Sequence, residues 1–289
     1  MTTRWNDLSR PPLRAAPLSK ALTTGPDPAW RTIDVVDETG STNADLAARA
    51  RASEAAGAVL AADHQSAGRG RRDRSWVAPP RAGLAVSVLW RPEPAAERWS
   101  WLTLLAGLAV TDALIHTCGL AATLKWPNDV LVPADGRPGA ELLKVGGLLA
   151  EVIHTESGPA LVLGIGLNVT QSAEELPVPT ATSLRLAGSA TTDRDTVLRA
   201  VLRALSARYQ DWTAAGGDPR AGLAAEYRER CSTIGRPVRV HLPDGGTVDG
   251  LAEGVDDEGR LLVRENRPDA AVRALSAGDV VHIRPAEPA

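Results

Sequence analysis

Phenylalanine is absent from this sequence of 289 residues, and tyrosine and methionine are nearly so, with two copies and one copy. Eight tryptophans are the main large side chains, so the core is expected to consist of Leu, Val, Ile and Ala filled by Trp. Hydrophobic residues still make up 44% and charged residues 23%, which is typical of a folded globular protein. The length suits one large domain plus a small one.

Cysteine is scarce as well, and the net charge is small. Cys118 and Cys231 lack metal-ligand spacing, and two cysteines in a chain of this size indicate a reducing compartment rather than a disulfide scaffold. The formal net charge of -3 excludes a global basic field that would draw the protein onto nucleic acid or a membrane. Residues 1–30 contain no apolar run that fits a signal peptide, and the apolar stretch 101–110 predicts a buried helix. We therefore expect a cytoplasmic protein with no DNA partner and no membrane partner.

Hydrophobic periodicity divides the chain into three parts. Residues 1–30 are rich in proline and are predicted to form an irregular arm. Strand and helix patterns then alternate over residues 31–232, which predicts one domain of mixed α and β structure. From residue 233 short β runs alternate with turn signals such as Asp244-Gly245-Gly246. This pattern of short strands and turns predicts a small β-barrel over residues 233–289.

Glycine and arginine are concentrated in the loop 66–76, called the arginine loop below. Glycine lets the backbone approach a ligand closely, and guanidinium groups suit carboxylate and phosphate oxygens. A mobile loop of this composition can close over an anion and exclude water. The same composition also occurs in disordered nucleic-acid-binding segments and in solvated loops. The loop contains Gly68, Arg69, Gly70, Arg71, Arg72, Arg74 and Trp76.

Two further segments carry clustered polar side chains. Ser41-Thr42-Asn43 precedes a predicted helix that runs to about residue 56. One of the three is a good N-cap, and the others either are incidental or face a ligand. Lys125-Trp126-Pro127-Asn128-Asp129 forms a proline turn between two short predicted strands. Its polar trio indicates either a site or a simple Asx turn.

Two predicted strands carry glycines next to polar groups. Lys144 stands before two consecutive glycines at the mouth of one strand, where glycine indicates a bulge or a close backbone approach. On the strand 161–169 one face carries Gly164 and Gly166 and ends in Asn168. This nearly bare face leaves room either for a flat ligand or for a tightly packed helix.

Together these segments resemble the motifs of biotin protein ligases, in the same order and spacing, over residues 31–285. The segments that carry the resemblance are Ser41-Thr42-Asn43, Gln65 with the 68–76 loop, Lys125-Trp126-Pro127-Asn128-Asp129, Lys144 before Gly146-Gly147, and Gly164-Ile165-Gly166-Leu167-Asn168. The resemblance is to the monofunctional bacterial type, which lacks the DNA-binding domain of the bifunctional repressors. It implies an α+β fold with a mixed, largely antiparallel sheet flanked by helices, as in class II synthetases, and a C-terminal β-barrel. The proline-rich loop 133–143 is longer than the usual turn of this family.

The reaction that this resemblance implies has two steps. The biotin carboxylate attacks the α-phosphorus of ATP, which gives biotinyl-adenylate and pyrophosphate. A lysine amine of a biotin carboxyl carrier domain then attacks the acyl carbon, which gives an amide and AMP. No acyl-enzyme forms, so the protein acts by positioning and charge stabilisation. Mg²⁺ accompanies the triphosphate and is expected to be held mostly by phosphate oxygens and water, with no dedicated protein metal site.

The resemblance also implies roles for individual residues. The catalytic residues are Lys144, Arg71 and Asp129. Biotin is bound by Ser41, Thr42, Asn43, Gln65, Gly68, Arg69, Gly70, Arg71, Lys144 and Gly146. ATP and the adenylate are bound by Arg71, Arg72, Arg74, Trp76, Lys125, Asn128 and Asn168. The loop 170–182 is expected to cover the adenine.

Two other functions compete with this interpretation. A lipoate ligase has the same catalytic fold and adenylate chemistry, but it needs an apolar slot for a dithiolane rather than partners for a ureido ring. The intact Ser41-Thr42-Asn43 segment and the predicted barrel favour biotin. A nucleic-acid-binding module would use the arginine loop and the barrel, and it predicts a basic face and steep salt dependence. The net charge of -3 argues against it.

Overall fold

The structure is a computed structural model, and it describes residues 9–24, 29–137, 139–267, 271–276 and 278–282. Helices α1 to α5 span Ala15–Leu22, Thr42–Arg51, Ser100–Cys118, Arg194–Ala214 and Leu223–Arg230. Strands β1 to β7 span Thr32–Thr39, Ala58–Gln65, Gly83–Trp90, Thr123–Lys125, Asp129–Pro133, Leu142–Thr155 and Gly158–Asn168. Strands β8 to β12 span Pro237–His241, Thr247–Val255, Leu261–Glu265, Val272–Leu275 and Asp279–His282.

β1 to β7 form a seven-stranded sheet with the order β1-β2-β3-β7-β6-β5-β4. β1 and β2 run parallel, whereas the other neighbouring strands run antiparallel. α3 and α4 pack against each other and cover one face of this sheet, and α2 covers the other face. The expectation of a mixed sheet flanked by helices is thus confirmed.

The interior strand β3 shows why the sheet has two covered faces. Val86 and Val88 lie in the large hydrophobic cluster that includes α3, whereas Leu89 lies in a smaller cluster with Leu46 of α2. Successive side chains of a strand point to opposite faces, so a strand with apolar side chains on both faces is buried on both. This placement puts the start of α2 and the middle of β3 side by side, where the site is formed.

α3 is the core helix of the larger domain. It is apolar on nearly all sides, and Leu102, Leu105 and Leu108 are fully buried. By length and composition alone this helix could cross a membrane, but 72% of its apolar window is buried inside the protein. A helix that is hydrophobic all round is expected in the core of a large domain. The predicted buried helix at 101–110 is confirmed.

β8 to β12 form a second, five-stranded antiparallel sheet with the order β11-β10-β9-β8-β12. Within the described residues the edge strands β11 and β12 are not paired, so a small antiparallel sheet is established and a closed barrel stays a prediction. The indoles of Trp101 and Trp126 donate to the carbonyls of Asp257 and Gly259 at 2.8 and 3.0 Å. One hydrophobic cluster also continues across both sheets. The C-terminal sheet is therefore packed firmly against the larger domain.

Two local predictions differ from the structure. The predicted irregular arm contains helix α1, because Leu18 and Leu22 are buried against the larger domain and Pro17 lies in the first turn, where proline is tolerated. Helix α2 ends at Arg51 instead of continuing to residue 56. Ser53 has a φ of 70°, a left-handed conformation that cannot continue an α-helix.

Candidate functional site

A large cavity opens between the main sheet, the arginine loop and the C-terminal sheet. Its volume is about 1130 Å³, which exceeds the roughly 300–1,000 Å³ of a pocket for one small molecule. All of the predicted site residues line it except Gly68, Arg72 and Gly146. The cavity therefore brings together segments that lie far apart in the sequence, and it has room for two small ligands.

The polar end of the cavity is lined by Ser41, Thr42, Asn43 and Gln65, with the fully buried Ser87 behind them. Ser41 is the N-cap of α2, since its hydroxyl accepts a hydrogen bond from a backbone N–H of the first turn at 3.5 Å. Gln65 Oε1 accepts from both the backbone N–H and the hydroxyl of Thr42, at 2.8 and 3.0 Å. The structure thus confirms that one residue of the triplet caps the helix, and it places all three on the cavity wall.

Asn43 and Ser87 connect the polar end to the sheet. Ser87 Oγ lies 2.6 Å from Asn43 Oδ1 and 2.7 Å from Thr42 Oγ1. Asn43 Nδ2 donates to the carbonyl of Leu149 at 3.1 Å and to the carboxylate of Glu151 at 2.7 Å. Sequence reasoning misses Ser87 and Glu151. The single hydroxyl in the otherwise apolar strand β3 is a usable signal for Ser87, whereas Glu151 gives none.

The glycines of β7 make room for the protein's own side chains. A Cβ atom on Gly164 would lie 2.2 Å from Asn43 Oδ1, and one on Gly166 would lie 2.6 Å from the indole of Trp76. Neither approach is possible for a larger residue. Asn43 and Trp76 therefore occupy part of the nearly bare strand face, while Gly164 and Gly166 still line the cavity, and the alternative of a flat ligand on this face stays a prediction. Trp76 in turn presents its ring to the cavity.

The arginine loop is folded as a narrow hairpin. Arg69 and Ser75 form an antiparallel bridge, and the Trp76 N–H donates to the Gly68 carbonyl at 2.8 Å. A Cβ atom on Gly68 would lie 2.3 Å from the Trp76 carbonyl oxygen, so this glycine shapes the loop from outside the cavity. The predicted contact of Gly68 with biotin stays a prediction.

Arg69 and Arg71 face the cavity from the arginine loop. Arg69 Nη2 lies 3.3 Å from the carboxylate of Glu151, next to the polar end. Arg71 Nη1 lies 3.5 Å from Asn128 Oδ1. Burial lowers the pKa of Arg71, while the carboxylates of Asp279 and Asp129 oppose this effect. A partly desolvated guanidinium of this kind favours the approach of an anion.

Arg72 and Arg74 bind the C-terminal sheet. Both pair with Asp279, Arg72 at 3.1 Å. Arg72 also donates to the carbonyls of His241 and Leu242, at 3.1 and 2.9 Å. These contacts hold Arg72 outside the cavity. The predicted phosphate contacts of Arg72 and Arg74 stay predictions.

Lys144 and Lys125 are the lysines of the cavity. Lys144 Nζ lies 2.5 Å from Asp129 Oδ1 and 5.9 Å from the ring centre of Trp76. The backbone N–H and carbonyl of Lys144 are both bonded to the loop 170–182, at 2.9 and 2.8 Å. Burial lowers the pKa of Lys125, and Asp129 opposes this effect. Perturbed cations that converge on one cavity are typical of an anion site.

Asn168 and Gly146 have structural contacts of their own. Asn168 Nδ2 donates to the Thr182 carbonyl at 2.9 Å, and its Oδ1 accepts from Gln171 Nε2 at 3.0 Å. Asn168 nevertheless lines the cavity. A Cβ atom on Gly146 would lie 2.4 Å from Leu167, so Gly146 serves close packing of β6 on β7. Their predicted contacts with the adenylate and with biotin stay predictions.

Comparison with known proteins identifies the class of enzyme to which this fold and cavity belong. Residues 35–168 match the biotin/lipoate A/B protein ligase family, and residues 233–283 match the biotin protein ligase C-terminal domain. The solved structure of the Aquifex aeolicus biotin protein ligase in complex with biotin and ATP is 26% identical, with a TM-score of 0.71. That match covers 89% of this chain and 100% of the solved one.

Curated relatives give a closer assignment. The chain is 47% identical to the biotin–[acetyl-CoA-carboxylase] ligase of Mycobacterium tuberculosis, over 98% of this chain and 100% of that protein. It is 32% identical to the protein of the same name from Paracoccus denitrificans, over 78% of this chain and 91% of that protein. This chain belongs to the biotin protein ligase family.

Proposed function

We propose that this chain is an ATP-dependent ligase that activates biotin as biotinyl-AMP and transfers it to a lysine of a biotin carboxyl carrier domain. The first step releases pyrophosphate, and the second forms a C–N amide bond and releases AMP. The observation that carries the proposal is one cavity that joins a buried polar end to the cations Arg69, Arg71 and Lys144. The names of the relatives and the neighbour solved with biotin and ATP support it.

The polar end suits the ureido ring of biotin. This ring presents two N–H donors and one carbonyl acceptor, and the polar end offers hydroxyl and amide groups of both kinds. Gln65 is held by Thr42 through its oxygen, so its amide nitrogen is the end that can donate to a ligand. The internal hydrogen bonds order these side chains in advance, which lowers the entropic cost of binding. A lipoate dithiolane would leave the same buried groups without partners.

Adenylation brings the biotin carboxylate against a phosphate of like charge, so a cation must lie between them. Lys144 and Arg71 are assigned to this role, with Arg69 beside them. Water competes little around the half-buried Arg71, which strengthens its interaction with developing negative charge. Lys144 is held through its backbone by the loop 170–182, so only its side chain has to move from Asp129 to the ligand.

Asp129 is proposed to orient or deprotonate the incoming lysine amine in the second step. Its Oδ1 lies 2.5 Å from Lys144 Nζ. When Lys144 turns to the phosphate, Asp129 is released and can contact the incoming amine. Asn128 stands beside it, with Nδ2 donating to the Leu148 carbonyl at 2.7 Å. One ion pair therefore links the groups that serve the two steps.

Trp76, Lys125 and Asn168 line the part of the cavity assigned to ATP, and the loop 170–182 is proposed to cover the adenine. Mg²⁺ would neutralise phosphate charge. Across the described ranges no group of three or more His, Cys, Asp or Glu side chains is placed to hold a metal ion. Phosphate oxygens and water would therefore supply most of its ligands. We also propose a cytoplasmic location, which the free, buried Cys118 and Cys231 support.

The test is biotin-dependent exchange of labelled pyrophosphate into ATP, with lipoate as the control acid. Exchange with biotin alone supports the proposal, whereas exchange with lipoate alone would assign the chain to lipoate ligation. If neither acid supports exchange, the proposal that this protein forms an acyl-adenylate is wrong. The second step is measured as biotin transfer to a carrier domain, compared with a carrier whose target lysine is replaced by arginine. Filter binding of duplex DNA at low and high salt tests the nucleic-acid alternative.

A further inference from the structure

The N-terminal arm lies outside both stretches that match family models, yet it is bonded to the loop 170–182. The Arg10 side chain is 11% exposed. Its guanidinium donates to the two carboxylate oxygens of Glu175, at 3.0 and 2.5 Å, and to the Thr170 carbonyl at 3.1 Å. A bidentate pair of this kind fixes orientation as well as distance. The first half of the loop is thus attached to the arm.

The arm is itself anchored in the core, so it can act as a fixed support. The Leu13 N–H donates to Asp63 Oδ1 at 3.1 Å. The Asp63 side chain is 1% exposed and pairs with Arg194 at 2.8 Å and with Arg81 at 3.1 Å. A buried carboxylate with two cationic partners is costly to separate from them. Leu13 is therefore held in place on the end of β2.

The second half of the loop is attached to Lys144. The Lys144 N–H donates to the Thr180 carbonyl at 2.9 Å, and the Thr182 N–H donates to the Lys144 carbonyl at 2.8 Å. Val178 lies between these attachments and Glu175, and it lines the cavity. The wall that this loop contributes is therefore held between two supports, the arm on one side and β6 on the other.

We propose that Arg10 is a positioning residue for ATP, because it holds the loop 170–182 in the conformation that forms the nucleotide wall. This inference rests on the proposed function, which assigns the adenine to that loop. Arg10 does not touch the reacting atoms. Its loss should therefore weaken ATP binding more than turnover. Biotin binding should change little, since the hydrogen bonds of the polar end run to α2 and the sheet.

The experiment compares the full-length variants Arg10→Ala and Arg14→Ala by pyrophosphate exchange at varied ATP and varied biotin. Arg14 lies on the same arm but pairs with Asp195 of α4, at 2.5 Å, rather than with the loop. Arg10→Ala is expected to raise the KM for ATP about tenfold, the effect of losing one charge-assisted contact. Its kcat and its KM for biotin should stay near wild type, and Arg14→Ala should leave all three unchanged.

A charge swap separates positioning from general destabilisation. Arg10→Glu and Glu175→Arg should each raise the KM for ATP, and the double variant should recover most of the loss. If Arg10→Ala fails to fold, Arg10→Lys keeps the charge without the bidentate geometry and should give an intermediate rise. An unchanged KM for ATP in the Arg10 variants, or no recovery in the double variant, overturns the inference. Wild-type protein without biotin-dependent exchange would instead overturn the proposed function.

Discussion

The two ends of the cavity are built by different means. At the polar end, the short buried side chains of Thr42 and Asn43 both contact the hydroxyl of Ser87 in the sheet. At the arginine loop, the long side chains of Arg72 and Arg74 are 33% and 60% exposed and pair with Asp279. A satisfied buried network is rigid, whereas ion pairs in contact with water are weak and easily exchanged. Under the proposed function, this contrast implies that biotin recognition is organised in advance and that closure over the adenylate is reversible.

Lys144 lies where the two ends meet, and its removal is expected to have the largest effect. Lys144→Ala should lower the rate of pyrophosphate exchange by roughly 10²–10³-fold, because the substitution removes a preorganised positive charge that stabilises the reacting groups. Its side chain is partly exposed, so the thermal midpoint should hardly change. Exchange and thermal unfolding are measured together, with Lys20→Ala as the control on the exposed arm. Near-normal exchange would show that Lys144 is an ordinary lysine at a strand end.

Arg71→Gly should separate formation of the adenylate from its retention. Arg69 and Lys144 remain, so synthesis should continue at a reduced rate. Loss of one charge-assisted contact should release the adenylate roughly ten- to a hundredfold faster. The released mixed anhydride would then biotinylate a bystander protein such as albumin, which is detected by blotting.

The chain itself provides a second readout for Arg71→Gly. It has three lysines, and Lys20 is the one that does not line the cavity. Released adenylate should therefore label Lys20, which mass spectrometry can locate, and Lys20→Ala removes this signal as a control. If pyrophosphate is produced while albumin and Lys20 stay unlabelled, Arg71 does not retain the adenylate, and Arg69 becomes the next candidate.

The polar end of the cavity is probed by Ser87→Ala. The change leaves Asn43 Oδ1 without its buried hydroxyl partner and removes one of the contacts of Thr42, which should cost about 1–3 kcal/mol in the free energy of unfolding. Biotin affinity should fall about tenfold, because the side chains of the polar end are no longer held in advance. Calorimetry with biotin and thermal unfolding measure both effects, with the exposed Ser157→Ala as the control. Unchanged biotin affinity would show that the network serves stability alone.

The ion pairs between the arginine loop and the C-terminal sheet are probed by Asp279→Asn, which should have the smallest effect of these changes. Exposed ion pairs contribute about 0–1 kcal/mol, so the adenylate should leave roughly two- to fivefold faster. Added salt should speed release from the wild type and hardly change the variant, because the screened interaction is already lost. Asp249→Asn is the matched control, since Asp249 pairs with Arg239 on the same sheet. A wild-type release rate that is independent of salt would contradict reversible closure.

Most of the fold could be predicted from sequence where the signal is local. The predicted strand 161–169 overlaps β7, because an apolar strand pattern needs no distant partner to be recognised. The N-cap of α2 and the two strands around the proline turn follow from local chemistry as well. Helix α1 could not be predicted in the same way, since burial of Leu18 and Leu22 depends on a surface that exists after folding.

The sequence by itself determined the chemistry of this site, because residue types and their spacing limit what the polar and cationic side chains can bind. The tertiary structure decided their partners. Arg10 meets Glu175 across 165 positions, and Arg72 meets Asp279 across 207. The sequence alone also does not reveal that Gly164 and Gly166 make room for Asn43 and Trp76. Local conformational preference depends on the residue types of one segment, whereas contacts between distant residues form only when the chain packs into one core.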